Sequence, residues 1–562
     1  MPLSTLAIWP GAHVQYVAAK LILVALAVAV GVWALPAGRL RTEVHWLLAA
    51  GGLVLATAVI ASPDPAPFGR WPRHEGLLVV PLYVLMAWLG ARLVGHLAEG
   101  HRMTAFRRAL ALTAVVLAVC SLLQAGGWWP GATTVERPGA LLGNATDQGI
   151  IGLLVAAVLG REAITERHAL AVAGTVAGLA TMLLSGSRAV LLAGLCVVGL
   201  HAVLSRRAVR WQWLGGAALL IGFVLLVPQA RDRLLASGTV RGRLELWGDS
   251  LALAREHPLL GVGPGGFVDR IGEHHSMRWA EVVGVANPPD SPHNWMLQAL
   301  LAGGVLLLGV AVALAVVVLR RGWHKARESP YAADLLGAVV GYGLVLLTHF
   351  TSPGTTCLAA FVAGALVAVR PTRARSTALL SRAVPPAAVV AAVLVVVVWS
   401  AAGRADMHLE QGLAAAARGE VEVADREFTR AHELKPWDHD IAVMAAASLA
   451  APASYGDPGA QRHARAWAIT ALTEHSRSTQ AAVALAVVEN SEGRFERAVE
   501  LLDRTIARDP TAVQPWVQRG VARYGLRDVA GATADLRHAL ELDPDDPIPA
   551  RLLAAINERA GR

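Results

Sequence analysis

The sequence predicts an all-α protein, a polytopic membrane helical bundle of about twelve spans followed by a soluble α-solenoid. Three observations predict it. Of the 562 residues, 55% are hydrophobic and only 16% are charged, against roughly 25% in soluble domains, so lipid is the solvent for much of the chain. Charge is divided unevenly: residues 1–402 carry 18 acidic and 31 basic side chains, residues 403–562 carry 24 and 19. A basic membrane part and a mildly acidic soluble part follow. Apolar stretches also recur only as far as residue 401, where polar, alanine-rich helices take over.

A helix crosses a bilayer with about 20 mostly apolar residues. Candidate spans are 14–35, 44–61, 77–98, 109–125, 148–160, 169–184, 188–204 and 211–228, then 296–320, 331–350, 357–369 and 383–401. Their glycine and alanine content suits close helix packing in lipid. No basic segment precedes the first run, so it reads as a retained span rather than a signal peptide. Cys120, Cys196 and Cys357 lie in or beside apolar stretches, without the spacing of a disulfide framework or zinc site. No ionisable group is expected deep in the spans and no half-to-half repeat is visible, which argues against a coupled transporter.

Short basic loops stay cytoplasmic. Segments 36–41, 99–108, 205–210, 320–327 and 370–382 then lie inside, with 161–168 a weaker case. Segments 62–76, 126–147, 185–187, 229–295 and 351–356 lie outside. Arg70 and Arg73 run against this scheme.

Residues 229–295 are the longest polar interruption of the membrane part, and this loop is the expected active site. Arg231, Arg233, Arg241, Arg243 and Arg255 sit where basic residues are uncommon, and Arg188 ends a span on the same face. A single arginine at a helix end can simply snorkel to the headgroups. Arg188, Arg241 and Arg243 together suggest a phosphate or pyrophosphate ligand, whose oxygens match the guanidinium fork. Gly261–Gly266 (GVGPGG) has no preceding strand, which disfavours a dinucleotide site; a tight turn allowing close backbone approach fits better. Residues 243–256 place Leu244, Trp247, Leu251 and Ala254 on one helical face, as in a surface amphipathic helix.

His293, between Pro292 and Asn294, is either a structural interface histidine or a base given a fixed direction at a helix start. Asn294 also suits the N-cap of the next helix. In the outer segment 137–149, Arg137, Asn144, Thr146, Asp147 and Gln148 can contact a hydroxyl-rich ligand or serve as loop solvation and a helix cap.

Beyond residue 402 a 34-residue helical pattern recurs. Gly412, Ala424, Phe428, Ala431 and Pro436 take the small, aromatic and terminating positions of one unit. Trp516, Gly520, Ala532, Leu536, Ala539 and Pro544 take those of another, with Ala498, Leu502 and Pro510 between. The pattern resembles tetratricopeptide repeats, which bind partners on a concave face, so a protein partner is expected there. The expected domains are 1–402 and 403–562, the latter emerging outside.

Three motifs of the membrane part, Ser185–Ala189 (SGSRA), Arg243–Phe267 (beginning RLELW and ending HPLLGVGPGGF) and Pro292–Gly304 (PHNWMLQALLAGG), resemble the O-antigen ligase / O-antigen polymerase superfamily in order and spacing. The resemblance implies a GT-C-like, metal-independent, inverting membrane glycosyltransferase of the bacterial plasma membrane. It would move glycan from a polyprenyl-pyrophosphate carrier to a hydroxyl of a glycan, lipid or protein acceptor. Arg188 and Arg243 would hold the pyrophosphate and His293 would act as catalytic base. Arg241, Arg137, Asn144, Asn294 and Gln298 are the further substrate-binding candidates. No cofactor, metal or nucleic acid is expected. Where such proteins often carry an acidic residue before a helix glycine, this chain has Leu301-Ala302-Gly303. A protein O-oligosaccharyltransferase, a transporter of lipid-linked sugars and a scaffold are the alternatives.

Overall fold

The computed structural model describes the chain except residues 1, 35, 63–67, 72, 96–99, 129–136, 205–210, 286–288, 371–377, 561–562 and most of 213–237. Arg231, Arg233 and most of the expected span 211–228 lie outside the described residues. Among the described residues regular structure is helical, apart from one isolated bridge between Arg39 and Val369.

The membrane part contains α1 (Ala18–Val32), α2 (Thr42–Ala61), α3 (Val80–Val94), α4 (His101–Ala125), α5 (Ala145–Thr165), α6 (Ala169–Leu184) and α7 (Arg188–Leu204). The polar loop holds α8 (Gly238–Glu256), α9 (Gly266–Arg270) and α10 (Met277–Val283). Then follow α11 (Trp295–Glu328), α12 (Pro330–Val345), α13 (Pro353–Val367) and α14 (Ala378–Ala417). Among the described residues five helices are long and apolar enough to cross a membrane: α2, α4, α5, α11 and the apolar length of α14. The remaining apolar helices of this part are shorter, 10–17 residues. Leu21, Met86, Leu110, Ile151 and Leu358 are at most 1% exposed and join α1, α3, α4, α5 and α13 in one core. Glycine permits the closest of these contacts. A Cβ on Gly364 would run into the Ala87 backbone, and one on Gly90 into that of Phe361, so α3 and α13 meet main chain to main chain.

Loops segregate to two ends of the bundle. At one end Arg107 and Arg161 pair with Asp334, Arg107 also with Glu162, and the Lys325 ammonium donates to the Leu366 and Ala368 carbonyls. At the other, Arg73 meets Asp290, Gln298 meets Glu75 and Thr351, His349 meets Asp147, and Arg137 meets Ser185. The segments expected outside thus share one end. The spans carry a buried ionisable group that the sequence reading did not anticipate: Lys20 is 2% exposed, its Nζ donating to the carbonyls of Ala7 (2.6 Å) and Leu141 (2.8 Å).

The polar loop has its own small core. Leu246, Leu253 and Ala254 of α8 pack with Val262, Phe267, Ile271, Trp279 and Leu301. Leu244 and Leu251, expected on the apolar face, are 58% and 41% exposed, so α8 turns one apolar stripe inward and a second outward. The glycine-rich turn docks into α11. Gly261, Gly263 and Gly265 have φ of +65°, +83° and +85°, which only glycine adopts readily. The helix breaks at Gly303 and Gly304 (φ +64°), and in the gap Val262 N–H donates to the Leu301 carbonyl at 2.7 Å while Val305 N–H donates to that of Pro258 at 2.8 Å.

Helix α14 is 40 residues long and runs from the apolar part into the first repeat, so the expected boundary at 402 falls inside a continuous helix. Eight more follow: α15 (Val421–Leu434), α16 (Asp440–Ser454), α17 (Pro458–Glu474), α18 (Thr479–Ser491), α19 (Phe495–Arg508), α20 (Val513–Gly525), α21 (Val529–Leu542) and α22 (Pro547–Ala560). Phe428, Ala424 and Ala431 are 0% exposed, with Phe428 lying on Gly412, where a Cβ would sit 2.6 Å from the ring. The repeats pack against the loop end of the bundle. Arg70 joins Asp269 (2.6 Å) of the loop to Asp440 (2.6 Å) of α16, and His475 also reaches Asp269 at 3.0 Å.

Candidate active site

His293 is held in place through both of its neighbours. The Asn294 side chain caps α11, accepting from the Met296 (2.9 Å) and Leu297 (3.3 Å) amides and donating to the Leu347 carbonyl at 3.0 Å. The Pro292 carbonyl accepts the Trp247 indole N–H at 3.0 Å, tying this turn to α8. Between these anchors His293 takes φ +49°, a left-handed conformation. Such a conformation costs a non-glycine residue about 1–3 kcal/mol and persists where the surroundings over-determine it.

The imidazole lies 5.4 Å from the Phe350 ring and 6.5 Å from the His349 ring, centroid to centroid. Its Nδ1 is buried and finds no hydrogen-bond partner among the described residues. Burial brings the His293 pKa down to about 4; Arg73, His349 and Arg243 push the same way, and Asp290 opposes them. The ring is therefore neutral at ordinary pH, the form in which it can accept a proton.

Arg188 opens α7, after a turn in which Gly186 has φ +56°. Arg137 braces that turn, its Nε donating to the Ser185 carbonyl at 2.8 Å. Arg243 is half-buried on α8, and its guanidinium is drawn below the usual range first by burial and then by the charge of Arg188. A second cation close enough to oppose the protonation of Arg243 makes a site that an anion would stabilise. Arg241, two residues away on the helix, is exposed instead.

Two other predicted contacts are committed within the protein. Asn144 caps α5, accepting from the Thr146 (2.8 Å) and Asp147 (3.3 Å) amides. The Gln298 amide donates to Glu75 at 2.9 Å and to Thr351 at 3.0 Å. Glu75, raised above the ordinary carboxylate range by burial, also accepts from the Tyr83 hydroxyl at 2.7 Å. Gln148 is fully buried, with neither amide atom partnered among the described residues.

Sequence reasoning missed Arg73, Glu75, Asp290, His349 and Phe350. The His349 Nε2 lies 3.2 Å from the Asp147 carboxylate, and the Arg73 guanidinium carbon lies 3.1 Å from the Phe350 ring centre. One signal was available: Arg73 departs from the charge rule for loops, and a cation on that face needs a local reason.

Residues 173–312 match the family model for O-antigen ligase, and residues 485–557 match a tetratricopeptide repeat model. The ligase match runs from α6 through the polar loop into α11 and supports an O-antigen ligase- or polymerase-type membrane enzyme. Its matched stretch contains Arg188, Arg241, Arg243, His293, Asn294 and Gln298, whereas Arg73, Asp147 and His349 come from outside it. No curated protein matches the chain. Among solved structures, a MamA RS-1 double mutant is similar at 18% identity, covering 28% of this chain and 85% of its own, with a TM-score of 0.24. YrrB, described as a TPR protein with an unusual peptide-binding site, is similar at 17% identity, covering 31% and 86%, with a TM-score of 0.23.

Proposed function

We propose that the protein is a membrane glycosyltransferase that moves glycan from a polyprenyl-pyrophosphate carrier onto an acceptor hydroxyl on the outer side of the bacterial plasma membrane. In this reading residues 1–402 form a GT-C-like catalytic body of about twelve spans, and residues 403–562 an extracytoplasmic repeat module. The observation that carries it is His293, buried and neutral, within reach of Arg243, whose charge Arg188 at the start of α7 opposes. Arg188 and Arg243 hold the diphosphate of the donor. The acceptor hydroxyl gives its proton to His293 as its oxygen attacks the anomeric carbon. The new C–O bond forms on the face opposite the leaving group, so the configuration inverts. The bond from that carbon to the phosphate oxygen breaks, and the diphosphate leaves with the electron pair. Fixed guanidinium groups stabilise that charge without a metal, and general-base help is worth roughly 10²–10⁴-fold.

Glycan, lipid and protein acceptors share this chemistry. The repeat module seated on the polar loop through Arg70, Asp269 and Asp440 favours an acceptor or partner that is a protein. The test is transfer by purified protein from carrier-linked glycan to another carrier-linked glycan, to a lipid A core or to a protein, with chelator present and product masses read. Longer carrier-linked chains identify a polymerase, and glycan on the lipid core or on protein identifies a ligase or an oligosaccharyltransferase. Carrier crossing a vesicle membrane without any transfer would replace the enzyme reading with a transporter.

A further inference from the structure

Arg73 reaches the surroundings of His293 from a different part of the chain, the segment between α2 and α3. Its Nη2 lies 2.8 Å from both carboxylate oxygens of Asp290, and its Nε lies 3.2 Å from one of them. Asp290 is three residues before His293, in the turn that enters α11. The other face of the guanidinium covers Phe350, the ring that lies 5.4 Å from the His293 imidazole. Arg73 therefore grips both the main-chain turn that bears His293 and the aromatic wall beside its ring. Its remaining group, Nη1, is buried without a hydrogen-bond partner among the described residues.

We infer that Arg73 is a positioning residue for the transfer, fixing His293 through the Asp290 carboxylate and the Phe350 ring. The inference rests on the glycosyltransferase reading for its reaction, but not for its geometry. A planar guanidinium is required, because only it can bind a carboxylate through two N–H donors on one edge while its face lies on an aromatic ring. The turn it stabilises is the strained one, with His293 at φ +49°. The charge has a second effect. The groups acting on the His293 ring are Arg73, Asp290, His349 and Arg243. Of the three that oppose its protonation, Arg73 acts most strongly, and Asp290 favours it. Losing Arg73 removes a cation beside the imidazole and frees the Asp290 charge to attract a proton. A neutral base then becomes an occupied one at mildly acidic pH.

Two variants separate these effects. Arg73→Lys keeps the charge but cannot make the two-donor grip and the stacking together. Arg73→Gln loses both. The readouts are kcat and KM for carrier-linked glycan as a function of pH, and the pH midpoint of diethyl pyrocarbonate modification at His293, followed by peptide mass spectrometry on the full-length protein. Arg73→Lys is expected to lower kcat at least tenfold, with the donor KM within about twofold and the modification midpoint unchanged. Arg73→Gln is expected to lower kcat at least as far and to move both the midpoint and the acid limb of kcat upward by half a pH unit or more. An unmoved midpoint in Arg73→Gln, or full kcat in Arg73→Lys, would overturn the inference. A rise in donor KM at constant kcat would make Arg73 a donor-binding group instead. If wild-type protein transfers nothing while the Arg73→Gln midpoint still shifts, the glycosyltransferase reading fails and the control of His293 by Arg73 stands.

Discussion

The Val262 amide donates to the Leu301 carbonyl at 2.7 Å, so the glycine-rich turn of the polar loop fills a break in helix α11. This bond sets the position of the loop relative to His293, which lies in the turn just before the start of the same helix.

That docking leaves no room for side chains. A Cβ on Gly261 would collide with the Leu301 carbonyl, and one on Gly304 with the Leu259 carbonyl, both at positive φ. Gly261→Ala and Gly304→Ala are each expected to destabilise the protein by at least about 2 kcal/mol, since a strained φ and an overpacked contact act together. Thermal unfolding in detergent checks this. Gly309→Ala is the control, because a Cβ there meets nothing within 4 Å.

Removing the base should spare binding. His293→Ala is expected to reduce transfer by roughly 10²–10⁴-fold, the usual contribution of a general base, while affinity for carrier-linked glycan stays within twofold. Single-turnover transfer and equilibrium donor binding provide the measurement, and undiminished product would dismiss His293 as the base.

The arginine pair should show the opposite pattern. Arg243→Ala and Arg188→Ala are each expected to weaken donor binding at least tenfold, the loss typical of a charge-assisted hydrogen bond. Arg241→Ala, at an exposed position, should change it less than threefold. Equal losses for all three would argue for a diffuse electrostatic attraction rather than a formed site.

Acid should cost stability as well as activity. The His293 pKa falls from an ordinary 6.5 to about 4 in the folded protein. Between these values the unfolded chain binds the proton and the folded one does not, so stability drops as pH falls from 6.5 towards 4 and levels off below. His293→Gln should flatten that part of the stability–pH curve, as measured by denaturation at half-unit pH steps.

The repeats should detach if their junction is cut. The Arg70 side chain is 9% exposed and pairs with Asp269 and Asp440, so Arg70→Ala takes the cation from a half-buried Asp440 and leaves Asp269 with His475 alone. Breaking such an arrangement costs about 3–5 kcal/mol. Faster amide exchange at residues 266–274 and 438–446, with α5 unchanged, is the expected outcome.

Much of this architecture was legible in the chain alone. Apolar runs marked the membrane helices because lipid leaves no partner for an exposed peptide group. The recurrence of Ala424, Phe428 and Ala431 as Ala532, Leu536 and Ala539 marked the solenoid because each pair must bury the same face on its neighbour. Arg188, Arg243 and His293 stood out because charge is scarce in such a sequence. What only the tertiary structure decided was their company. Arg73 and Asp290 lie 217 positions apart and Asp147 and His349 lie 202 apart, and no local period encodes such pairings. They arise because helices packed side by side bring distant loops to one end of the bundle, where buried charges must find one another or remain unpaired.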